Sequence, residues 1–584
     1  MYSSEKNVQI LLSLLKEHGI KKMILSPGSA NASFVASAQY DGEFELYSSV
    51  DERSAAYIAC GLAEESGEPV VICCTGATAS RNYMPGLTEA YYRKLPIIAV
   101  TATRPLVWIG QNRDQLIDRS TIPNDIAVKS VHIPIVQNEQ DEWECNLKIN
   151  DALLEARRNG GGPVHINLTT SYSLDFSVQK LPKERVIRRF YKNSVLPTIP
   201  KGNIAIFVGA HSVWSEKLQD IVDSYCEKYN AIVLYDQTSN YSGKYGVPCG
   251  MFNIAGFPDF KVELLIHIGN ISASWPVNAQ EIWRVNIDGE IRDTYQHLTC
   301  VFEMNEEYFF EAYCDNDLKK NVMQYEKWYK EYCILKEALQ SNNKNMKYSS
   351  MWIAQNMYRK MPAHSVIHFG ILNSLRCWNC FEVDQSIHGY SNTGGFGIDG
   401  GVSSLIGASL AFPEKIYYGI FGDLAFFYDM NSLGNRHISK NIRIMVVNNG
   451  LGGEFKNSLG NVQKAGLGDL ANDYISAYGH YGKESRNLLK HYAQDLGFQY
   501  FAASSKEEFL EVMDEFVTDE NRDKPMLFEV FMEDSEDVSA IDLLQSIGTT
   551  SLNKSNILSK TKQVAKNLIG KSNLTKLQKT IHRS

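Results

Sequence analysis

At 584 residues, 44% hydrophobic and 21% charged, the chain has ordinary globular composition and the length for three or four domains of roughly 150 residues each. Its net charge of −9, from 58 Lys and Arg against 67 Asp and Glu, argues against a protein that coats nucleic acid. No apolar run reaches the roughly 18 residues that span a bilayer. The start MYSSEKNVQILLSLLKEHG is polar and then amphipathic, unlike a signal peptide. The 11 scattered cysteines read as reduced thiols, so a cytoplasmic location is expected.

In chain order, strand patterns alternate with helical ones. KKMILSPG, FELYSSV, PVVICCT, LPIIAVTA and GPVHINL read as strands, with helices over DERSAAYIACGLAEES and near Leu147 to Arg158. Strands apolar on both faces and joined by helices predict a parallel sheet covered on both sides. Leu196-Pro-Thr-Ile-Pro-Lys201 reads as a linker into a second unit. That unit holds the strands NIAIFVGA, AIVLYDQ, LLIHIGN and WRVNIDG and a helix near Trp214 to Tyr229. A polar helical stretch, Asn316 to Asn345, leads to a third unit with SVIHFG, IYYGIFGD, NIRIMVVNN and PMLFEVFM, and Ser505 with Glu508 forms a capping box. The expected fold is α/β, three parallel-sheet domains over 1–188, 189–340 and 341–540, with a basic amphipathic tail over 541–584. From Asn553 the tail carries eight Lys or Arg and no acid, leaving 50 − 67 = −17 on the chain before it.

Two features carry chemistry. Asp423 ends the strand IYYGIFGD, Asn449 ends NIRIMVVNN, and Leu424 to His437 between them reads as a helix. Neighbouring parallel strands lie roughly 5 Å apart, so one cation at the strand-end crevice can take both side chains. Two hard oxygen ligands with a backbone carbonyl and phosphate oxygens describe a magnesium site; the plain alternative is a turn capped by Asp and Asn. The second feature is Asp51-Glu52-Arg53-Ser54-Ala55, which opens a helix after FELYSSV; acids favour a first helical turn on any account. Cys377-x-x-Cys380 has redox or zinc spacing, but no second such pair completes a zinc site.

Together these residues resemble the thiamine-diphosphate-dependent enzymes, and within them the MenD synthases, which join 2-oxoglutarate to isochorismate. The resemblance runs in order through SPGS (26–29), DERSA (51–55), NYMPGLTEAYYRKLPIIAVTATRP (82–105), GPVHINL (162–168), NSL (373–375), SNTGGFGIDG (391–400), GDLAFFYDMNSL (422–433) and NNGLGGEF (448–455). It implies a pyrimidine-binding domain, a central nucleotide-binding-like domain and a diphosphate-binding domain, of the thiamine-diphosphate-binding fold. It also implies a homodimer or dimer of dimers, with the cofactor held between subunits.

The cofactors implied are thiamine diphosphate and magnesium or manganese. Glu52 would drive the aminopyrimidine to its imino form. Asp423, Asn449 and the backbone oxygen of Leu451 would hold the metal. Thr75, Asn82, Ser374, Ile398, Gly422, Leu424 and Gly452 would also contact the cofactor, Ile398 as an apolar wedge. The reaction implied is decarboxylation of a 2-oxo acid and transfer of the resulting enamine to an acceptor. The alternatives are simple decarboxylation to an aldehyde and a non-catalytic scaffold of the same fold. FAD has no signature in the central unit.

The departures fall on the substrate side. Arginines of the family are replaced by Ala30, Thr393 and Trp378, although Arg376 is near the last. A guanidinium is the natural bidentate partner of a carboxylate, so a different substrate pair is expected, with a 2-oxo acid donor and an unidentified, polyol-like acceptor. Ser29, Arg104, Gln115, Thr393, Glu454 and Phe455 are the candidate substrate residues, Glu454 standing where the family has an aliphatic. In the tail, Ile557, Val564, Leu568, Ile569, Leu574, Leu577 and Ile581 lie among the cations. Such a segment suits the inner face of an anionic membrane or a partner enzyme; a solvated tail is the plain alternative. No nucleic acid partner is expected.

Overall fold

The computed structural model describes residues 1–314, 322–480, 485–520 and 523–568, with side chains described as far as Ser551. Three parallel sheets of six, seven and six strands organise it. By internal contacts the chain forms two compact units, Met1–Leu196 with Asp288–Glu303, and Pro197–Ile287 with the chain from Met304 onward.

The first unit holds β1 (Lys22–Leu25), β2 (Glu45–Ser48), β3 (Val70–Cys74), β4 (Ile97–Thr103), β5 (Lys129–Ile133) and β6 (Val164–Thr169), in the order β2-β1-β3-β4-β6-β5. Every residue of β3, β4 and β6 is buried. The pleat divides them between two cores. Met23, Val71, Cys73, Ile98 and Val100 pack on one face; Ile24, Val70, Ile72, Cys74, Ile97 and Ala99 pack on the other, with Ala55, Ala56 and Ala59 of the helix Glu52–Ser66. A Cβ on Gly86 would stand 2.5 Å from the Ala56 Cβ, so glycine lets the helix Met84–Arg93 pack directly on that helix.

Asp288–Glu303 is tied to this unit by charge. Arg158 bridges Glu303 at 3.0 Å and Glu290 at 3.2 Å, and Asp293 takes Arg185 at 2.6 Å and the Trp143 indole N–H at 2.8 Å. Its strand β13 (Leu298–Glu303) pairs in parallel with β7 (Arg188–Tyr191).

In the second unit, β8 (Ile204–Val208), β9 (Ala231–Tyr235), β10 (Gly246–Pro248), β11 (Val262–Ile268) and β12 (Ala279–Val285) run in the order β10-β9-β8-β11-β12. Its other sheet, β14 (Val366–Phe369), β15 (His388–Tyr390), β16 (Tyr417–Gly422), β17 (Ile442–Asn448), β18 (Gln499–Ala503) and β19 (Met526–Phe531), has the order β15-β14-β16-β17-β19-β18.

Three sequence expectations need correction. Strands β5, β7, β10, β13, β15 and β18 carry no clear sequence signal, and all but β13 end a sheet. An edge strand is short and half exposed, so its apolar pattern is weak. The helix expected near Leu147 to Arg158 is Glu139–Glu155, capped by the Asn138 side chain, which accepts from the Asp141 N–H at 3.1 Å. Leu424 to His437 is not one helix. An α-helix spans Asp423–Tyr428 and a 3₁₀ turn follows over Met430–Gly434; Asp429 sits at the break, its carboxylate taken by the Ser403 N–H at 2.6 Å and hydroxyl at 2.7 Å.

The expected boundary at 340/341 falls at the end of the helix Met323–Ser341, and that at 540/541 falls inside the helix Asp534–Leu568. Ala540, Ile541, Leu544 and Ile547 of that last helix are buried. A Cβ on Gly548 would stand 2.0 Å from the Ala255 carbonyl oxygen, so this helix packs closely on Gly250–Ala255. The tail cations and the apolar side chains from Ile557 onward lie outside the described residues. Among the described residues no helix is long and apolar enough to cross a membrane.

Candidate cofactor and metal site

In the first unit the expected residues gather on the loops after β1, β2, β3 and β4. The SPGS turn follows β1. A Cβ on Gly28 would stand 2.4 Å from the Thr75 Cβ, so glycine lets this turn close on the loop after β3. Ser29 is exposed, while Ala30 is buried and its carbonyl accepts from the Thr170 hydroxyl at 2.8 Å. The Thr75 hydroxyl is buried without a partner, a donor still to be used. Gly76 lies under the Gln115 carbonyl.

Asp51 caps the next helix, accepting from the Arg53 N–H at 3.0 Å and the Ser54 hydroxyl at 2.8 Å. Glu52 therefore stands at the first helical position, where its Oε2 accepts from the Asn82 side-chain amide at 3.1 Å. Arg104 stands over the Tyr172 ring, 5.0 Å from its centroid, with Asp114 at 3.5 Å.

In the second unit Asp423 and Asn449 follow adjacent strands, Gly422 of β16 being in register with Val447 of β17. Asp423 is 4% exposed. Its Oδ1 accepts from the Leu424 N–H at 2.7 Å and its Oδ2 from the Gly450 N–H at 2.6 Å. Gly450 adopts φ +75°, the left-handed turn that folds this loop back onto the carboxylate. Burial pushes the Asp423 carboxyl up to about 7, against the opposing effect of its backbone N–H donors. A buried carboxylate held by backbone donors, beside an amide oxygen on the next strand, suits a hard divalent cation. Asn449 Oδ1 accepts from the Leu451 N–H at 3.3 Å. Among the described residues no three His, Cys, Asp or Glu gather as metal ligands, so one carboxylate with neutral oxygens is the donor set on offer.

Around this loop, Ser374 is buried in the helix Asn373–Trp378, Ile398 is half-buried, and Thr393 is buried. The Ser391 hydroxyl and His368 Nε2 near them are buried without partners. Phe455 lies under Gly452, its ring 3.1 Å from where a Cβ would stand. Trp378 is core, 1% exposed and packed on Phe369, so it does not stand in for an arginine at a surface. Cys377 and Cys380 are buried and their thiols pushed up by burial, which makes them core residues rather than reactive thiols.

Three sets of contacts have no signal in the sequence, because the partners are distant along it. Arg376 pairs with Glu454, its Nη1 at 2.5 Å and Nη2 at 3.1 Å from the carboxylate. Glu529 takes the Asn448 amide and the Tyr500 hydroxyl, each at 2.7 Å, next to the loop of Asn449 and Gly450. Arg119 ties the Ala102 carbonyl, the Ser80 hydroxyl and Asn167 together in the first unit.

Comparison with known proteins bears on the same segments. Residues 6–122 match the N-terminal TPP binding domain of thiamine pyrophosphate enzymes, and residues 374–530 match the C-terminal one. The 2-succinyl-5-enolpyruvyl-6-hydroxy-3-cyclohexene-1-carboxylate synthase of Bacteroides thetaiotaomicron is 33% identical over 568 residues, covering 92% of this chain and 98% of its own. That of Phocaeicola vulgatus is 32% identical, covering 93% and 98%. A solved 4-hydroxybenzoylformate decarboxylase of Rhodococcus jostii aligns over 90% of this chain at 14% identity, with a TM-score of 0.38, too low to carry an argument. With both cofactor-binding domains matched and the relatives aligned along almost their whole length, the chain belongs to the 2-succinyl-5-enolpyruvyl-6-hydroxy-3-cyclohexene-1-carboxylate synthase family of thiamine-diphosphate enzymes.

Proposed function

We propose that the protein decarboxylates a 2-oxo acid and transfers the remaining fragment to an acceptor, forming a carbon–carbon bond, on a substrate pair other than 2-oxoglutarate and isochorismate. The observation that carries the enzymatic reading is the Asp423 carboxylate, buried, bonded to the backbone N–H groups of Leu424 and Gly450 rather than to a cationic side chain. A scaffold gains nothing from such a costly group.

Asp423, Asn449 and the Leu451 carbonyl would hold magnesium, and Ser374, Gly422, Leu424 and Gly452 would line the diphosphate end of the cofactor. Thiamine diphosphate supplies the electron sink for loss of carbon dioxide. Glu52 would hydrogen-bond the aminopyrimidine side and govern its proton, with Asn82 steadying the Glu52 carboxylate. Thr75 would offer its unused hydroxyl, and Ile398 would give the cofactor an apolar support. The N-terminal and C-terminal contributions come from different units of the chain, and a homodimer or dimer of dimers completes the site.

The altered substrate pair rests on Ala30, Thr393 and Trp378, none of which can grip a carboxylate, and on Arg376, whose guanidinium is already taken by Glu454. Carbon dioxide release from a panel of 2-oxo acids, with and without acceptors, tests the reading. No release from any member, by protein loaded with thiamine diphosphate and magnesium, refutes it.

A further inference from the structure

Beside the metal loop lies a cavity of about 220 Å³, lined by residues of the second unit. Its link to the loop is Gly453, where a Cβ would stand 3.0 Å from the Asn449 amide and 2.9 Å from that of Asn373. Asn373 in turn accepts from Arg376 at 2.6 Å. Arg376 and Glu454 form one wall, each about a quarter exposed, and among the described lining residues Arg376 is the single cation. Its pairing with Glu454 cancels the charge, so the wall offers a fixed row of donors and acceptors with no net attraction for an anion. Asn379 and Ser274 add an amide and a hydroxyl.

The opposite feature is Trp275. The residue is 64% exposed, which is unusual for one so large and apolar. Asn253 clamps its backbone from both sides, donating to the Trp275 carbonyl at 2.8 Å and accepting from its N–H at 3.0 Å. The backbone that carries the ring is thus tied to Asn253, which also lines the cavity.

We infer that this cavity is the acceptor subsite and takes a neutral polyhydroxylated ring bearing a carbonyl, of keto-sugar or keto-cyclitol type; the inference rests on the transfer reaction proposed above. An indole face covers the C–H face of such a ring, and paired carboxylate, guanidinium and amide groups match its hydroxyls. The step balances without oxidant or reductant. The donor carboxyl leaves as carbon dioxide, the electron pair left behind forms the bond to the acceptor carbonyl carbon, and the acceptor oxygen takes a proton.

The test is binding of myo-inositol and methyl α-glucoside, against succinate and isophthalate, to protein loaded with thiamine diphosphate and magnesium, followed by saturation-transfer NMR. At least one neutral polyol should bind and neither dianion should. Trp275→Ala should weaken the polyol about tenfold, while Trp275→Phe, which keeps an aromatic face, stays within about threefold of wild type. Dianions binding where polyols do not, or polyol binding that ignores Trp275→Ala, overturns the inference. If Trp275→Ala does not fold, the wild-type panel and Trp275→Phe still decide. Acceptor-free carbon dioxide release by wild type separates the two levels. Release without polyol binding sinks only this inference, and absence of release sinks the reaction beneath it.

Discussion

The proposed chemistry rests on two carboxyl groups whose surroundings differ, Glu52 and Asp423. Glu52 sits at a helix start with a single amide partner, free to engage the cofactor. Glu52→Gln should keep thiamine diphosphate affinity by calorimetry and lose about 10²–10⁴-fold in turnover. Wild-type turnover in that variant removes Glu52 from the proton path. Asp423 is buried and costly, and a bound cation would offset that cost. Asp423→Ala should lower magnesium-dependent cofactor affinity by about tenfold to a hundredfold. Titrations with magnesium and with EDTA that match wild type exclude it as a ligand.

His165 gives a pH prediction of another kind. It is 5% exposed between the Thr101 and Ser130 hydroxyls, and burial pushes its pKa down to about 3. The unfolded chain takes up the proton near pH 6.5 and the folded one does not, so stability falls as pH drops from about 6.5 towards 3. By pH 5 the loss is about 2 kcal/mol. Urea unfolding at pH 7 and pH 5 should show a smaller drop for His165→Gln than for wild type.

Elements explain why these groups stand where they do. Each cofactor-binding domain has a loop that enters a short helix through a non-glycine residue in a glycine-like conformation: Ala77 at φ 55°, ψ −127°, and Leu372 at φ 70°, ψ −121°. Such strain costs of order 1–3 kcal/mol and persists where neighbours enforce it. These two turns precede the segments of Asn82 and Ser374, so the strain aims the chain at the expected cofactor contacts. Ala77→Gly should stabilise the protein by about 1 kcal/mol after the entropy cost of glycine, read as a higher denaturation midpoint. An unchanged or lower midpoint means that the turn is not strained.

The last helix is a second case. Ile541, Leu544 and Ile547 are buried, and each contributes about 1.5–3 kcal/mol. A chain ending at Ser551 should fold and keep its activity. One ending at Glu533 should be insoluble or molten, and a cooperative, native melt of that shorter chain would show the helix to be dispensable.

Across the whole molecule, the residues proposed for the cofactor fall in both units. Glu52, Thr75 and Asn82 lie in the first, while Asp423, Asn449 and Ser374 lie in the second. A homodimer is expected by sedimentation, with cofactor loading lost on dilution to monomer; a fully loaded monomer contradicts the shared site. Each missing charge-assisted contact at Ala30, Thr393 and Trp378 removes about 1.5–3 kcal/mol. Turnover of 2-oxoglutarate with isochorismate should therefore fall by several orders of magnitude below an ordinary member of the family. Efficient conversion of that pair would restore the ordinary substrate.

The sequence alone determined the alternation of strand and helix, the central strands and the strand-end positions of Asp423 and Asn449, because an apolar run and a glycine stop are local facts. It also marked Glu52 by its place after a strand and at a helix start. Only the tertiary structure decided what those residues touch. The Arg376–Glu454 pair, the Glu529–Asn448 support and the clamp of Asn253 on Trp275 join residues 78, 81 and 22 positions apart, and no local pattern encodes a partner that distant. Every edge strand but β2 was lost for the opposite reason, since half-exposed residues such as those of β5 and β18 carry too little apolar contrast until a neighbouring strand supplies their hydrogen bonds.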